Sequence, residues 1–453
     1  MNIKFIDLFA GIGGIRYGFQ KGFKSENIST ECVLTSEIKG HALTVLKDNY
    51  EHNKIVGDIR NIKTDDIPDF DFLLAGFPCQ AFSTAGNRDG FADTRGTLFF
   101  EIERILKNKK PYGFLLENVS NLERHDNGNT FKVMLKNLEK LGYKVSYKVL
   151  NAKDFGLAQS RKRIFIVGTL SSEISLDDFI YKKSLFGDVL EHNQPTVNNK
   201  LTQLLLKNYE IEELYGKAIK DKRGGNNNIH SWEIELKGKV SYVQKYLLNQ
   251  LLKQRRRKIW AEKKGIKWMD GMPLTVEEIS TFFPDLIIRG KIDINKFNLK
   301  EILDDLVDKG YLKLEHPKKQ VITESSNGKK IKRRVYDETL PKGYNIVTGK
   351  LSFSFSKILN PNDITPTLVA TDVSKLAVPD KDGLRELTLK EGLRLFGYDD
   401  DFKLNISKNK AFDLLGNTVP VNIIESISRR LAVDIKKSNN LKEVKIDFSA
   451  IRK

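Results

Sequence analysis

Cysteine is nearly missing from this chain: there are two thiols, Cys32 and Cys79, in 453 residues. Two cysteines build neither a disulfide framework nor a Cys-rich zinc site, and they fit a reducing cytosol, so a cytoplasmic protein is expected. Histidine is scarce too. The six are scattered with no His-Glu-x-x-His, so a metal centre has no support. No apolar run approaches the ~18 residues of a membrane helix, and no membrane contact is expected. The opening Met1-Asn2-Ile3-Lys4-Phe5-Ile6-Asp7 enters a strand at once, so no signal peptide is expected ahead of the fold. Acidic residues are the minority charge, 59 against 76 Lys and Arg, which leaves a formal net charge of +17. That excess favours a polyanionic partner, most simply nucleic acid, although a plain basic surface gives the same sum.

What is present is alternation. The length suits two or three domains. Over the first 170 residues, strand-like stretches at 3–9, 32–35, 54–56, 71–75, 113–117, 144–150 and 163–167 are interleaved with helical stripes. One stripe is Leu98, Ile102, Ile105 and Leu106, and another is Phe131, Met134, Leu135, Leu138 and Leu141. This is a doubly wound α/β pattern. Only a short irregular link separates the last two strands, so they are expected to pair antiparallel at an edge.

Several short blocks stand where an open sheet binds ligands, just beyond strand ends. Phe9-Ala10-Gly11-Ile12-Gly13-Gly14 follows the first strand, and its glycines let backbone approach a ligand. Glu37 follows the second strand, placed for a ribose diol. Asp58 follows the third and could accept from an adenine amine. The apolar run 72–75 leads into Gly76-Phe77-Pro78-Cys79-Gln80, which delivers a thiol to the sheet edge. Alone, that cysteine is as easily a buried small hydrophobe. Glu117 ends an apolar strand, where burial raises a carboxyl pKa and suits a proton donor; a capping or salt-bridged Glu is the plainer reading. In Gln159-Ser160-Arg161-Lys162-Arg163, alternation sends Gln159, Arg161 and Arg163 to one side, which a solvated edge strand would also show.

Taken in this order, with Glu117-Asn118-Val119 and the later Leu415-Gly416-Asn417-Thr418-Val419-Pro420, the blocks resemble the cytosine-5 DNA methyltransferase family. The resemblance covers about 1–170 and 383–431. It implies a Rossmann-like, doubly wound S-adenosylmethionine-dependent methyltransferase sheet with an inserted, smaller target-recognition domain. The expected division is 1–172, 173–383 and 384–453, the last ending in a loose tail. It implies that Cys79 attacks C6 of a flipped-out cytosine, that Glu117 holds the ring through N3 and the exocyclic amine, and that Arg163 contacts O2. Arg161 would brace the catalytic loop, and Asn118 the loop or a water. Phe9, Gly11, Gly13, Glu37, Asp58, Ile59, Pro78, Leu98, Asn417 and Val419 would line the S-adenosylmethionine site. Ser83 and the loop 84–95, with Arg95 at its end, are candidates for clamping double-stranded DNA.

The middle breaks the alternation. Between 245 and 267 there are nine basic residues and one acidic one. Its densest part holds Lys253, Arg255, Arg256 and Arg257 beside Trp260, which suits phosphate contacts, with a solvated helix face as the plain alternative. Further on, Thr275 and Glu278 read as a capping box, and Leu299, Ile302, Leu303, Leu306 and Val307 as a helical stripe. A strand at 311–314, a turn at Ser326-Asn327-Gly328 and a returning strand at 333–336 complete a pattern resembling a winged helix. A strand is expected at 365–370, and a capped helix from Thr388.

The chain thus reads as a monomeric modification methylase, with a restriction endonuclease as its functional partner by family habit. Two rival readings fit less well. The family's transfer-RNA branch carries a Cys-Phe-Thr element, and no cysteine follows Cys79. A silent DNA-binding protein would not need Cys79, Glu117, Arg161 and Arg163 together.

Overall fold

The computed structural model describes residues 1–51, 54–78, 97–267, 270–283, 298–324, 330–348, 354–370 and 372–450. The chain divides into two units. The first comprises Met1–His192, Asn360–Ser374 and Leu387–Lys453, and the second Asn193–Leu359 with Lys375–Glu386. The first unit therefore runs past the expected boundary at 172, and residues 360–374 return to it from within the stretch expected to be one insertion.

In chain order the first unit opens with β1 (Asn2–Leu8), α1 (Gly14–Ser25), β2 (Ser29–Ser36), α2 (Gly40–Asn49), β3 (Ile55–Val56) and β4 (Phe72–Gly76). It continues with α3 (Thr97–Lys109), β5 (Gly113–Val119), α4 (Asn129–Lys140), β6 (Lys144–Asn151) and β7 (Lys162–Thr169). The seven strands form one sheet in the order β3-β2-β1-β4-β5-β7-β6. The first five are parallel, and β7 runs antiparallel to both β5 and β6. That is the antiparallel edge the short link implied. The central strands are apolar throughout, with Phe72, Leu73, Leu74, Phe114, Leu115 and Leu116 all fully buried, because layers cover both faces of the sheet.

The second unit holds α5 (Lys200–Asn208), β8 (Ala218–Ile219), β9 (Asn228–Ile229), α6 (Tyr242–Gln254), α7 (Ile259–Lys263), α8 (Val276–Ser280) and α9 (Leu299–Asp308). Then come β10 (Leu312–Glu315), β11 (Lys318–Glu324), β12 (Lys330–Tyr336), β13 (Gly343–Ile346), β14 (Lys357–Ile358), β15 (Leu376–Asp380) and β16 (Gly383–Glu386). Thr275 caps α8 with Glu278 answering, as the sequence suggested. The helix pair and the basic hairpin are both present. The strand pairing differs from expectation, however. β10 pairs with β13, and the hairpin is made by β11 and β12. Residues 318–324 went unrecognised because lysines and Gln320 break the apolar signal.

The first unit closes with α10 (Leu389–Phe396), α11 (Lys408–Asn417) and α12 (Val421–Ala450). Thr388 and Glu391 cap α10, which Gly397 ends at φ 86°. One expectation fails here. The stretch 365–370 is not a strand: one bridge, Gln159 to Thr365, is its whole ladder. The expected tail is helical to 450, the continuation of α12. Its first half is anchored, since Ile424, Ile427 and Leu431 are fully buried.

α12 lies against the glycine face of α1. A Cβ added to Gly18 would come 2.6 Å from the Ile424 Cβ, and one on Gly22 2.6 Å from the Ser428 Cβ. Such proximity leaves no room for one methyl. Gly22→Ala should therefore lower stability by about 1–3 kcal/mol. Gly40→Ala, in α2 with nothing within 4 Å, should not. Urea midpoints of the two variants check the contrast.

Candidate active site

The turn after β1 is set by backbone that leaves the usual region. Phe9, Gly11 and Gly13 have φ of 56°, 58° and 78°. A non-glycine residue there is strained, so Phe9 is held by its surroundings. Gly13 is the left-handed cap of α1, and a Cβ on it would meet the Tyr50 ring at 2.7 Å. The Gly11 N–H donates to Glu37 Oε2 at 2.7 Å, while Glu37 Oε1 accepts from Ile38 and Lys39 N–H, each at 2.8 Å. The carboxylate thus pins the first turn to the end of β2. Asp58 follows β3, accepts the Arg60 N–H and meets the Arg60 guanidinium with both oxygens.

These turns border a cavity of about 700 Å³, within the range of small-molecule sites. Phe9, Gly11, Glu37, Asp58, Ile59, Pro78, Leu98, Asn417 and Val419 all line it. Gly13 does not; it shapes the turn instead. Asn417 donates its amide to the Asp413 carbonyl at 2.8 Å, within its own helix.

Glu117, Asn118, Arg161 and Arg163 border the same cavity. Glu117 lies two residues before the end of β5 and is 7% exposed. Arg163 is the second residue of β7, the neighbouring strand, and its Nε lies 3.0 Å from Glu117 Oε1. Burial raises the Glu117 pKa, against the pull of Arg163 and then Arg161. Asn118 is buried and donates to the Phe77 carbonyl at 2.8 Å, which ties β5 to the segment leading to Pro78. Cys79, Ser83 and Arg95 lie outside the described residues.

Arg161 is not a solvated edge residue. It is 1% exposed, and its guanidinium donates to the carbonyls of Leu368 at 2.9 Å, Gly416 at 3.0 Å and Thr418 at 2.6 Å. It therefore braces the 416–418 wall of the cavity; the cysteine loop it was expected to brace lies outside the described residues. Gln159, also buried, donates to the Leu395 carbonyl.

Sequence reasoning missed Asp7. It is the next-to-last residue of β1, is 1% exposed and borders the cavity, and its Oδ2 has no hydrogen-bond partner among the described residues. Burial pushes its carboxyl up to about 7; Arg16 works against this, and the Glu37 charge adds to it. An acid whose folded pKa exceeds its unfolded value of 3.8 stabilises the free protein at low pH, and loses that contribution as pH rises through about 7. The available signal was an acidic residue at a strand end, directly before a Gly-rich turn.

The expected DNA-contact residues divide. Lys253 and Arg257 are exposed. Arg256 is engaged with Asp270 at 2.7 Å. Arg255 is not available to DNA. It is 3% exposed, donating to Asn345 Oδ1 at 2.8 Å and to the Lys222 carbonyl at 3.2 Å. A guanidinium that reaches polar partners inside a fold is a cross-brace, and the local run of charge could not show that.

Comparison with known proteins identifies the family. The family model for C-5 cytosine-specific DNA methylase matches residues 3–432. The type II methyltransferase M.NlaIV of Neisseria lactamica is 55% identical over 438 residues, covering 95% of this chain and 98% of that protein. M.BanI of Aneurinibacillus aneurinilyticus is 40% identical over 454 residues, 94% and 95% of the two chains. A solved structure of a candidate DNA modification methyltransferase encoded within a prophage (E. coli) superposes with a TM-score of 0.51 at 18% identity, covering 96% of this chain and 99% of that one. That likeness supports the fold. The match over residues 3–432, together with the near full-length relatives, places this chain in the C-5 cytosine-specific DNA methylase family, and the protein is a DNA cytosine-5 methyltransferase.

Proposed function

We propose that this enzyme moves the methyl group of S-adenosylmethionine to C5 of a cytosine flipped out of a specific short duplex site. The observation that carries the reading is the single cavity that joins the Gly-rich turn, Glu37 and Asp58 to the Glu117–Arg163 pair. The residues suit that cofactor. Asp7 and Glu37 border the cavity, and one Asp7 oxygen has no hydrogen-bond partner among the described residues, which fits a ligand carrying cationic groups. When bound, S-adenosylmethionine supplies an electrophilic methyl on a sulfonium. Glu37 then faces the ribose, and Asp58 and Ile59 the adenine.

The protein's own work falls on the cytosine. The Cys79 thiolate adds to C6, which makes C5 nucleophilic. Glu117, kept protonated more readily by burial, holds N3 and the exocyclic amine as charge develops on the ring, and Arg163 holds O2. C5 takes the methyl; water removes the C5 proton, and the electron pair expels the thiolate. Asn118 holds the backbone ahead of Cys79 in place. Arg161 acts as a positioning residue through the 416–418 wall. The second unit is the target-recognition domain, in which Lys253 and Arg257 contact phosphates; Ser83 and Arg95 contact the DNA from the first unit. The relatives named as type II methyltransferases support a modification enzyme; in this reading it works as a monomer in the cytoplasm and protects DNA from a partner endonuclease.

Cys79→Ala should abolish transfer of labelled methyl while leaving duplex affinity within a few-fold; retained turnover would remove Cys79 from the reaction. Glu117→Gln should lower kcat/KM by roughly 10²–10³-fold, as losing one preorganised donor does, in the same assay. Cofactor affinity should rise about tenfold per pH unit below 7, because a cationic ligand must displace the Asp7 proton, and flatten above. Calorimetric titration between pH 5.5 and 7 checks this, and in Asp7→Asn the slope should vanish.

A further inference from the structure

The hairpin of the second unit is a ribbon that pairs with no further strand among the described residues. β11 and β12 pair from Lys318↔Tyr336 to Glu324↔Lys330, and they form a two-stranded sheet of their own. Side chains alternate between the faces of a ribbon, and cross-strand partners share a face. Lys318 and Tyr336, Gln320 and Arg334, and Ile322 and Lys332 therefore lie on one face. Lys319, Val321, Arg333 and Val335 lie on the other. The Lys318 ammonium is 4.7 Å from the Tyr336 ring centroid, as shared placement requires.

The two faces differ in part. On the second face Lys319 is tied to Asp337 at 3.1 Å and Val321 is half-buried, while Arg333 and Val335 are exposed. On the first face Gln320, Ile322, Lys332 and Arg334 are exposed, Ile322 at 63%. The side chains of Gln320, Lys332 and Arg334 have no hydrogen-bond or ion-pair partner among the described residues. A free two-stranded ribbon is marginal in water, and an exposed isoleucine beside unneutralised cations does nothing to hold it. Both features make sense against DNA. The major groove, about 12 Å wide, admits a two-stranded ribbon. Arginine and glutamine carry planar heads that bond base edges in pairs, an apolar side chain meets the thymine methyl, and lysine serves phosphate as a point charge.

We propose that the β11–β12 ribbon enters the major groove of the target duplex, with Arg334 and Gln320 on base edges and Lys332 on a phosphate. The proposal rests on the reading that the enzyme methylates a specific duplex site. The test uses the full-length protein and three variants, Arg334→Ala, Arg334→Lys and Lys332→Ala. Each methylates a random duplex library read by bisulfite sequencing, and duplex binding is followed across salt concentration. Arg334→Ala should lower kcat/KM on the preferred site roughly ten- to hundred-fold and relax one base position. Arg334→Lys should relax the same position while keeping the salt slope, because it keeps the charge and loses the fork. Lys332→Ala should weaken all duplexes alike and flatten the slope by about one phosphate contact. Unfolding midpoints should match wild type, since these side chains are exposed. Unchanged preference, rate and slope in all three would overturn the proposal, as would a ribbon that instead covers an acidic protein surface. A wild-type enzyme that methylates no duplex would sink the parent reading, and this one with it.

Discussion

A guanidinium that stays charged and loses its water must find acceptors, or burial costs several kcal/mol. Arg161 solves this on backbone carbonyls, from Leu368, Gly416 and Thr418, with the Phe396 ring 5.0 Å away. Three segments far apart in sequence must converge before that side chain can be buried. The first unit is discontinuous in the chain and single in space partly for this reason. The consequence reaches the cavity. One short stretch, 161–163, holds the 416–418 wall through Arg161 and Glu117 through Arg163. The wall expected to face the cofactor and the grip expected to face the base hang from neighbouring residues of one chain segment. A shift in either is felt by the other.

The same cavity is bordered by two groups of charges. Asp7, Glu37 and Asp58 stand near the ends of β1, β2 and β3, and Arg161 and Arg163 stand with Glu117 near β5 and β7. In the first group Asp58 is paired with Arg60, and in the second Arg163 is paired with Glu117, so much of the charge on each side is matched locally. The strain at Phe9 belongs to this picture. The turn bends at Phe9, Gly11 and Gly13 so that α1 can start beside the cavity, and Tyr50 locks the last of these by accepting no side chain on Gly13.

Much of this was legible in the sequence, for specific reasons. Strands buried on both faces are plain apolar runs, so the sheet announced itself at 72–75 and 113–117. The site residues sit at strand ends in short fixed blocks, and nine of ten expected cofactor residues border the cavity. The unreadable parts share one physical cause: charge in sequence does not reveal its partner in space. Arg255 lies in a basic run yet serves Asn345 and the Lys222 carbonyl, both distant in sequence. Asp7 looked like the end of a strand, and its importance comes from the absence of a partner, which only coordinates reveal. Residues 318–324 are too polar to look like a strand and are one because β12 pairs with them.

The path of the chain between β7 and α10 explains how such an enzyme can change what it reads without changing what it does. The chain leaves the first unit after His192, comes back at Asn360, leaves again after Ser374 and returns at Leu387. The intermediate visit is what brings Leu368 to Arg161 and Thr365 to the Ser160 N–H and the Ala158 carbonyl. Each excursion is thus closed by anchors within the first unit, and lengthening a closed loop costs only ~0.6 kcal/mol per doubling. Insertions and substitutions in the second unit leave the carbonyls on Arg161 where they are. The cavity wall is fixed by a buried cation with a fixed set of acceptors, and variation is free to accumulate where, as on the ribbon, side chains have no partner among the described residues to lose.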